Sequence, residues 1–217
     1  MKNIDLNDVH ENTRKSYNLI AEKYHELFQN ELDDKPYDRQ ILTNFAGLFN
    51  EKAKILDAGC GPSFHIGNFL VNLDLEVVGV DISDRCIQMA QNLYPSIEFY
   101  RMNLIDLKFE NETFDGIIAY YSIIDTPKKS IPAIFQEFYR ILRPNGKLLV
   151  VVKEGKAEEY LEEVFEIPTH LYFSQFQVEE LHELFKKGGF DIEFSETRKP
   201  NPSEIKISRI YVFGSKK

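Results

Sequence analysis

KILDAGCGPSFHIGNF, Lys54–Phe69, decides how this chain is read. A short apolar run ends in Asp57, a Gly-Cys-Gly turn follows, and Pro62 leads into an amphipathic run. The order predicts a strand, a tight turn and a helix start, with Pro62 in the helix's first turn, where a missing N–H is tolerated. This is the geometry in which a nucleotide-like ligand meets a helix N-terminus. The next apolar run, EVVGVD, closes on a second acid, Asp81. One β-α-β unit separates the two acids, the spacing at which a strand-end carboxylate reaches a ribose.

Outward from this core, strands are predicted at 54–57, 76–81, 97–102, 114–119 and 147–152. Helices are predicted at about 63–73, 84–93, 130–142 and 175–187. Strands alternating with helices argue for a parallel sheet covered on both faces. After Gly188-Gly189 the pattern changes: FDIEFSETR and IKISRIYVFGS are two strands joined by Lys199-Pro200-Asn201-Pro202, which predicts an antiparallel hairpin at the sheet edge. The first fifty residues read as two helices, with Tyr17, Ile20, Tyr24 and Phe28 on one face of the first.

The bulk numbers exclude several classes. The 217 residues fit one domain with a full core. The net charge of −9 disfavours a phosphate backbone as partner. No apolar run is long enough to span a bilayer, and the N-terminus has no apolar signal region, so a cytoplasmic protein with no membrane partner is expected. Cys60 and Cys86 are then expected as reduced thiols. No Cys-x-x-Cys or His-x-x-x-His pair suggests zinc, so no metal is expected; Asp106, Asp115 and Asp125 have no spacing that fixes a metal. No Gly-x-x-x-x-Gly-Lys loop suggests ATP hydrolysis, and no Asn/Asp-Pro-Pro-aromatic tetrapeptide suggests methylation of amino groups on DNA bases.

The loop's chemistry narrows the ligand. A dinucleotide loop has glycines at positions one, three and six; Gly59 and Gly61 fit, but the sixth position is Phe64, too bulky for close pyrophosphate approach. Asp57 is ill placed beside a diphosphate and well placed beside an ammonium. A nucleoside with a cationic group and a single carboxylate suits the loop better than NAD or FAD, and S-adenosylmethionine fits that description. Gly-x-Gly alone also marks an ordinary structural turn; Asp57 before it and Asp81 after it favour a ligand. Asp81 could instead assist a helix cap, but Ser83 and Asp84 already serve there.

Five motifs, ILDAGCGPS, VVGVDIS, YRMNLIDLKF, TFDGIIAYYSIIDTP and FYRILRPNGKLLVVV, in this order and spacing, resemble those of the class I S-adenosylmethionine-dependent methyltransferases of the small, generic type. The tail YFSQFQVEELHELFKKGGFDIEF matches the family's last helix and following strand, and the resemblance covers roughly residues 13–217. It implies an α/β, Rossmann-like doubly wound sheet of seven strands, six parallel and one antiparallel near the edge, with helices on both faces. It implies a single methyltransferase domain over 1–217, with 1–50 a helical lid and 51–217 the core. S-adenosyl-L-methionine would be the cofactor and S-adenosyl-L-homocysteine the product.

The resemblance also implies residue roles. Asp57, Gly59, Cys60 and Gly61 would line the methionine end. Asp81 would bind the ribose and Ile82 would pack on the adenine. Asn103 and Leu104 would lie at the adenine edge, and Tyr120 and Tyr121 would border the sulfonium. Tyr17 and Tyr24, seven residues apart, would touch the methionine end from the lid, or else form an aromatic stripe on the core. The family's third loop glycine is Ser63 here, its usual adenine-edge acid is Asn103, and many relatives carry His where this chain has Asp125. No catalytic residue is fixed; His170, Tyr172, Asp125 and His65 are candidates, although ordinary polar roles are commoner for both histidines. His10, His25 and His182 have no neighbours in sequence that suggest chemistry.

The function expected is methyl transfer to an unidentified small-molecule acceptor. A catalytically silent S-adenosylmethionine-binding module, or an RNA or protein methyltransferase, are the alternatives, and a nicotinamide-linked dehydrogenase is more distant. Oligomeric state is not legible.

Overall fold

The computed structural model describes residues 5–202 and 204–217. Two helices lead, α1 (Leu6–Phe28) and α2 (Pro36–Ala46). The alternating core follows: β1 (Lys54–Ala58), α3 (His65–Val71), β2 (Glu76–Asp81), α4 (Asp84–Leu93), β3 (Glu98–Arg101), β4 (Phe114–Tyr120), α5 (Ile131–Ile141) and β5 (Leu142–Lys153). A hairpin of β6 (Glu158–Val164) and β7 (Ile167–Ser174) precedes α6 (Val178–Lys187), β8 (Phe190–Arg198) and β9 (Arg209–Lys216).

The main sheet has seven strands in the order β3-β2-β1-β4-β5-β9-β8. The first five pair in parallel; β9 runs antiparallel to both neighbours and leaves β8 at the edge. Successive residues of a strand face opposite sides, and here both sides are dry. Leu56 joins the core under α5 and α6, while Ile55 joins the core under α2, α3 and α4. That double coverage is why the strands read as continuous apolar runs rather than as alternating ones.

Three sequence expectations need correction. Helix α3 begins at His65, so Pro62 lies in the turn before it rather than in its first turn. The reason is Phe64, the helix N-cap, which adopts φ +48° and buries its ring completely against Phe99 and Tyr94. The segment between the strand expected at 147–152 and the helix expected from 175, to which the sequence pattern assigns neither strand nor helix, holds the β6–β7 hairpin. Its turn is made by Phe165 and Glu166, both at positive φ (+55° and +64°), residues that carry none of the Asn-Gly signature such a turn normally shows. The sequence PTHLYF is therefore strand. Lastly, the final strand begins at Arg209, so Ile205–Ser208 stays outside it.

Candidate functional site

Chain order reverses direction in the sheet between β1 and β4, and the site lies at the carboxyl ends of β1, β2 and β4, where a parallel sheet leaves a crevice. The loop after β1 is pinned from below: the N–H groups of Gly59 and Cys60 both donate to the Val80 carbonyl, at 2.8 and 2.9 Å. Gly59 adopts φ +84°, and a Cβ there would stand 2.2 Å from Ser122 Cβ. Gly61 adopts φ +62°, with open space where its Cβ would be. Asp81 holds the loop from the side. One oxygen accepts from Gly61 N–H at 3.0 Å and the other from Ser83 N–H at 2.8 Å. A carboxylate has about four acceptor positions, so two remain for a ligand. Ser83 caps α4 through Cys86 N–H, which leaves Asp81 free of that duty.

Ten of the twelve expected cofactor residues line one cavity of about 680 Å³, its open mouth included. Gly59 and Gly61 form its floor with Asp81 and Ile82; Asn103 and Leu104 bound one end; Tyr120 and Tyr121 come from the end of β4. Tyr17 and Tyr24 reach it from α1. Two expected residues lie behind the wall. Asp57 is buried and accepts the Gly67 N–H at 3.1 Å, so its carboxyl occupies the mouth of α3. Cys60 turns away, its sulfur 3.0 Å from where a Cβ on Gly79 would stand. Tyr120 is held by its hydroxyl, which donates to the buried Asp38, as does that of Tyr211.

Sequence reading passed over His10, Thr13, Met102, Ser122 and Thr126, which also line this cavity. His10, thought to have no relevant company, shares a hydrogen bond of 2.8 Å between its Nδ1 and Asn103 Nδ2. The signal was present: His10, Tyr17 and Tyr24 are spaced by sevens, one face of α1. His10 Nε2 and Ser122 Oγ are buried with no hydrogen-bond partner among the described residues. Buried polar atoms left so are costly, and a polar ligand in the cavity would satisfy them.

Helix α1 is tied across the cavity by side chains. Tyr17 hydroxyl donates to Asp125 Oδ2 at 2.7 Å, Ser83 hydroxyl to Asn18 Oδ1 at 2.7 Å, and Arg14 pairs with Asp84 at 2.5 Å.

Of the four catalytic candidates only Asp125 is brought to the cavity. His170 stacks on Tyr160 at 4.0 Å, bonds Glu162 and has 47% of its side chain exposed. Tyr172, itself buried, shares that face of β7; its neighbours Leu171 and Phe173 line a different cavity on the other face, as strand alternation requires. His65 Nε2 lies 2.7 Å from Glu31 and lines neither cavity. A second cavity, about 1460 Å³ on the same measure, adjoins the first. The two share a wall of four residues: Tyr17, Tyr24, Tyr121 and Asp125.

Three carboxyls here stand above the ordinary aspartate value. Burial raises Asp57 and Asp125 to about 7 and Asp81 to about 6; the hydrogen bonds from Gly67, Tyr17, Ser83 and Gly61 offset only part of it. Between roughly pH 4 and 7 the folded chain therefore holds protons that the unfolded chain releases, so this contribution to stability is lost as pH rises through that window. A cationic ligand favours the ionised forms. Proton release on binding S-adenosylmethionine at pH 6.5 should exceed that on binding S-adenosylhomocysteine, which lacks the sulfonium charge. Calorimetry in buffers of different ionisation enthalpy measures both, and equal release would refute the electrostatic reading.

Comparison with known proteins agrees with this geometry. Residues 55–146 match the methyltransferase domain family. The chain is 36% identical over 103 residues to phosphoethanolamine N-methyltransferase 3 of Arabidopsis thaliana, covering 45% of this chain and 20% of that protein. It is 26% identical over 162 residues to sterol 24-C-methyltransferase of Candida albicans, covering 65% and 42%. This chain thus spans less than half the length of either relative. Among solved structures, a Burkholderia thailandensis 1,6-didemethyltoxoflavin-N1-methyltransferase, with that compound and S-adenosylhomocysteine bound, superposes with TM-score 0.77 at 19% identity, covering 100% of this chain and 92% of that one. A SAM-dependent methyltransferase of Methanosarcina mazei gives TM-score 0.72 at 20% identity, covering 80% and 96%.

The fold is that of the class I S-adenosylmethionine-dependent methyltransferases, and residues 55–146 match a methyltransferase domain.

Proposed function

We propose that this chain transfers a methyl group from S-adenosylmethionine to a small-molecule acceptor. The observation that carries the reading is the shared wall. One cavity has the acid, glycines and unpartnered polar atoms suited to an adenosyl amino acid, and a larger cavity shares with it the wall of Tyr17, Tyr24, Tyr121 and Asp125. Asp81 would hold the ribose, Ile82 the adenine face, and Asn103 with His10 the adenine edge. The bound cofactor supplies an activated methyl group on a sulfonium, a leaving group that needs no acid. The protein's share is then alignment and exclusion of water. α1, acting as a lid, closes the cavity, and the aromatic wall keeps water from the reacting line. Asp125, with a carboxyl near 7 and Tyr17 bonded to it, is placed to accept a proton from an acceptor that carries one.

The surroundings support a small acceptor. Burkholderia thailandensis 1,6-didemethyltoxoflavin-N1-methyltransferase, whose fold is similar, binds the small molecule of its name. The net charge of −9 repels nucleic acid. The test is a panel of small acceptors with methyl-labelled S-adenosylmethionine, beside calorimetry with S-adenosylhomocysteine. Binding with label transferred to a small molecule is expected. Binding without transfer to any acceptor class would favour a silent module, and absence of binding would end the reading.

A further inference from the structure

The second cavity is mainly apolar. Leu27 and Phe28 of α1 face Leu161, Val164 and Phe165 of the hairpin. Phe165, at the hairpin's turn, packs edge-on to Tyr24 at 6.3 Å and against Phe28 at 5.7 Å. Such a wall suits a flat or branched hydrocarbon body.

The charged groups of the same cavity are unevenly matched. Its inner acids have partners: Glu31 pairs with Lys35 at 2.5 Å and His65 at 2.7 Å, and Glu204 with Arg198 at 2.8 Å, Arg209 at 3.4 Å and Lys35 at 3.7 Å. Asp125 accepts from Tyr17, and Asp34 is exposed at the mouth. Three donors are not matched. Lys153, at the end of β5, has no hydrogen bond or ion pair among the described residues; its ammonium rests 5.3 Å from the Phe173 ring. Arg209 is 4% exposed, and its Nε has no partner although its two Nη groups are engaged by Glu204 and by the carbonyls of Ile205 and Ile207. The Tyr121 hydroxyl, on a residue held at φ +59°, is buried with no well-formed hydrogen bond among the described residues; the Arg209 guanidinium beside it opposes the upward push that burial gives its pKa. All three side chains line this one cavity.

We propose, on the basis of the methyl-transfer reading, that the acceptor is an apolar small molecule bearing one anionic oxygen group, anchored by Lys153, Arg209 Nε and the Tyr121 hydroxyl. The Lys153 ammonium and Arg209 Nε lack a hydrogen-bonding partner among the described residues, and an oxyanion supplies one. A cationic or neutral acceptor would leave them as they are. Burial lowers the Lys153 pKa, with Asp125 acting the other way, as befits an ammonium without a contacting anion.

The probes are 2-naphthoate, its neutral isostere 2-naphthamide and the cation 2-naphthylmethylamine, each titrated with S-adenosylhomocysteine present. The chain has no tryptophan, so naphthyl fluorescence is read directly. Naphthoate should bind at least about tenfold more tightly than either analogue. In Lys153→Met the preference should fall to within about twofold while S-adenosylhomocysteine affinity is unchanged, and Lys153→Arg should keep it. Equal binding of the three, tighter binding of the cation, no binding of any, or a preference that survives Lys153→Met overturns the proposal. Loss of S-adenosylhomocysteine binding by the unaltered chain would instead overturn the methyl-transfer reading beneath it.

Discussion

Asp81→Ala should weaken S-adenosylhomocysteine binding by at least about a hundredfold, measured by calorimetry. Two hydrogen bonds to a charged acceptor contribute roughly 1.5–3 kcal/mol each, and their joint loss corresponds to two decades or more. The structure adds a second route to the same loss. Asp81 also receives the N–H groups of Gly61 and Ser83, so alanine leaves the loop unanchored just where the ligand would lie. Asp81→Asn separates the two: its amide oxygen keeps one acceptor, and an intermediate loss is expected. Unchanged affinity in Asp81→Ala would remove this residue from ribose binding altogether.

Gly59→Ala should lower thermal stability by about 10 °C. The methyl group arrives in a left-handed conformation that costs an L-residue roughly 1–2 kcal/mol, and overpacking adds about 1–3 kcal/mol. The obstacle is Ser122 Cβ at 2.2 Å, close to backbone rather than the far end of a flexible side chain, so something must move. For a domain of this size each kcal/mol corresponds to about 2–4 °C. The same change at Gly61 meets nothing within 4 Å, so only the conformational part remains and a smaller shift is expected. A melting curve of Gly59→Ala within a degree or two of the unaltered chain would show that the loop is not rigid.

Legibility in the sequence followed range. The strand–turn–helix from Lys54 onward is a local pattern, and the seven-stranded sheet grew from it correctly, antiparallel β9 included. The residues expected to meet the cofactor sit at strand ends, where position in the chain fixes position in space, so Asp81, Ile82 and Asn103 reach the cavity with the fold. The direction of a side chain is less local. Asp57 and Asp81 are both strand-end acids, yet one turns under α3 toward Gly67 and the other toward the cavity. The hairpin escaped notice because its Glu-rich first strand blurs the alternation and its Phe165-Glu166 turn carries no turn residues. Lys153 and Arg209 escaped for a different reason. They belong to antiparallel neighbours whose pairing, 56 residues apart in the chain, is set only when β9 inserts beside β5.

The tethers of α1 also say something about biogenesis. Tyr17 meets a carboxylate 108 residues downstream, and Ser16 accepts from the backbone of a residue 154 downstream, His170. Contacts of that span close late, because the intervening loop must first be ordered. Helix α1 leaves the ribosome well before the residues it is tied to and is thus among the last elements of this fold to find its place, and a nascent chain stalled before residue 170 would expose the crevice with its aromatic cover still adrift.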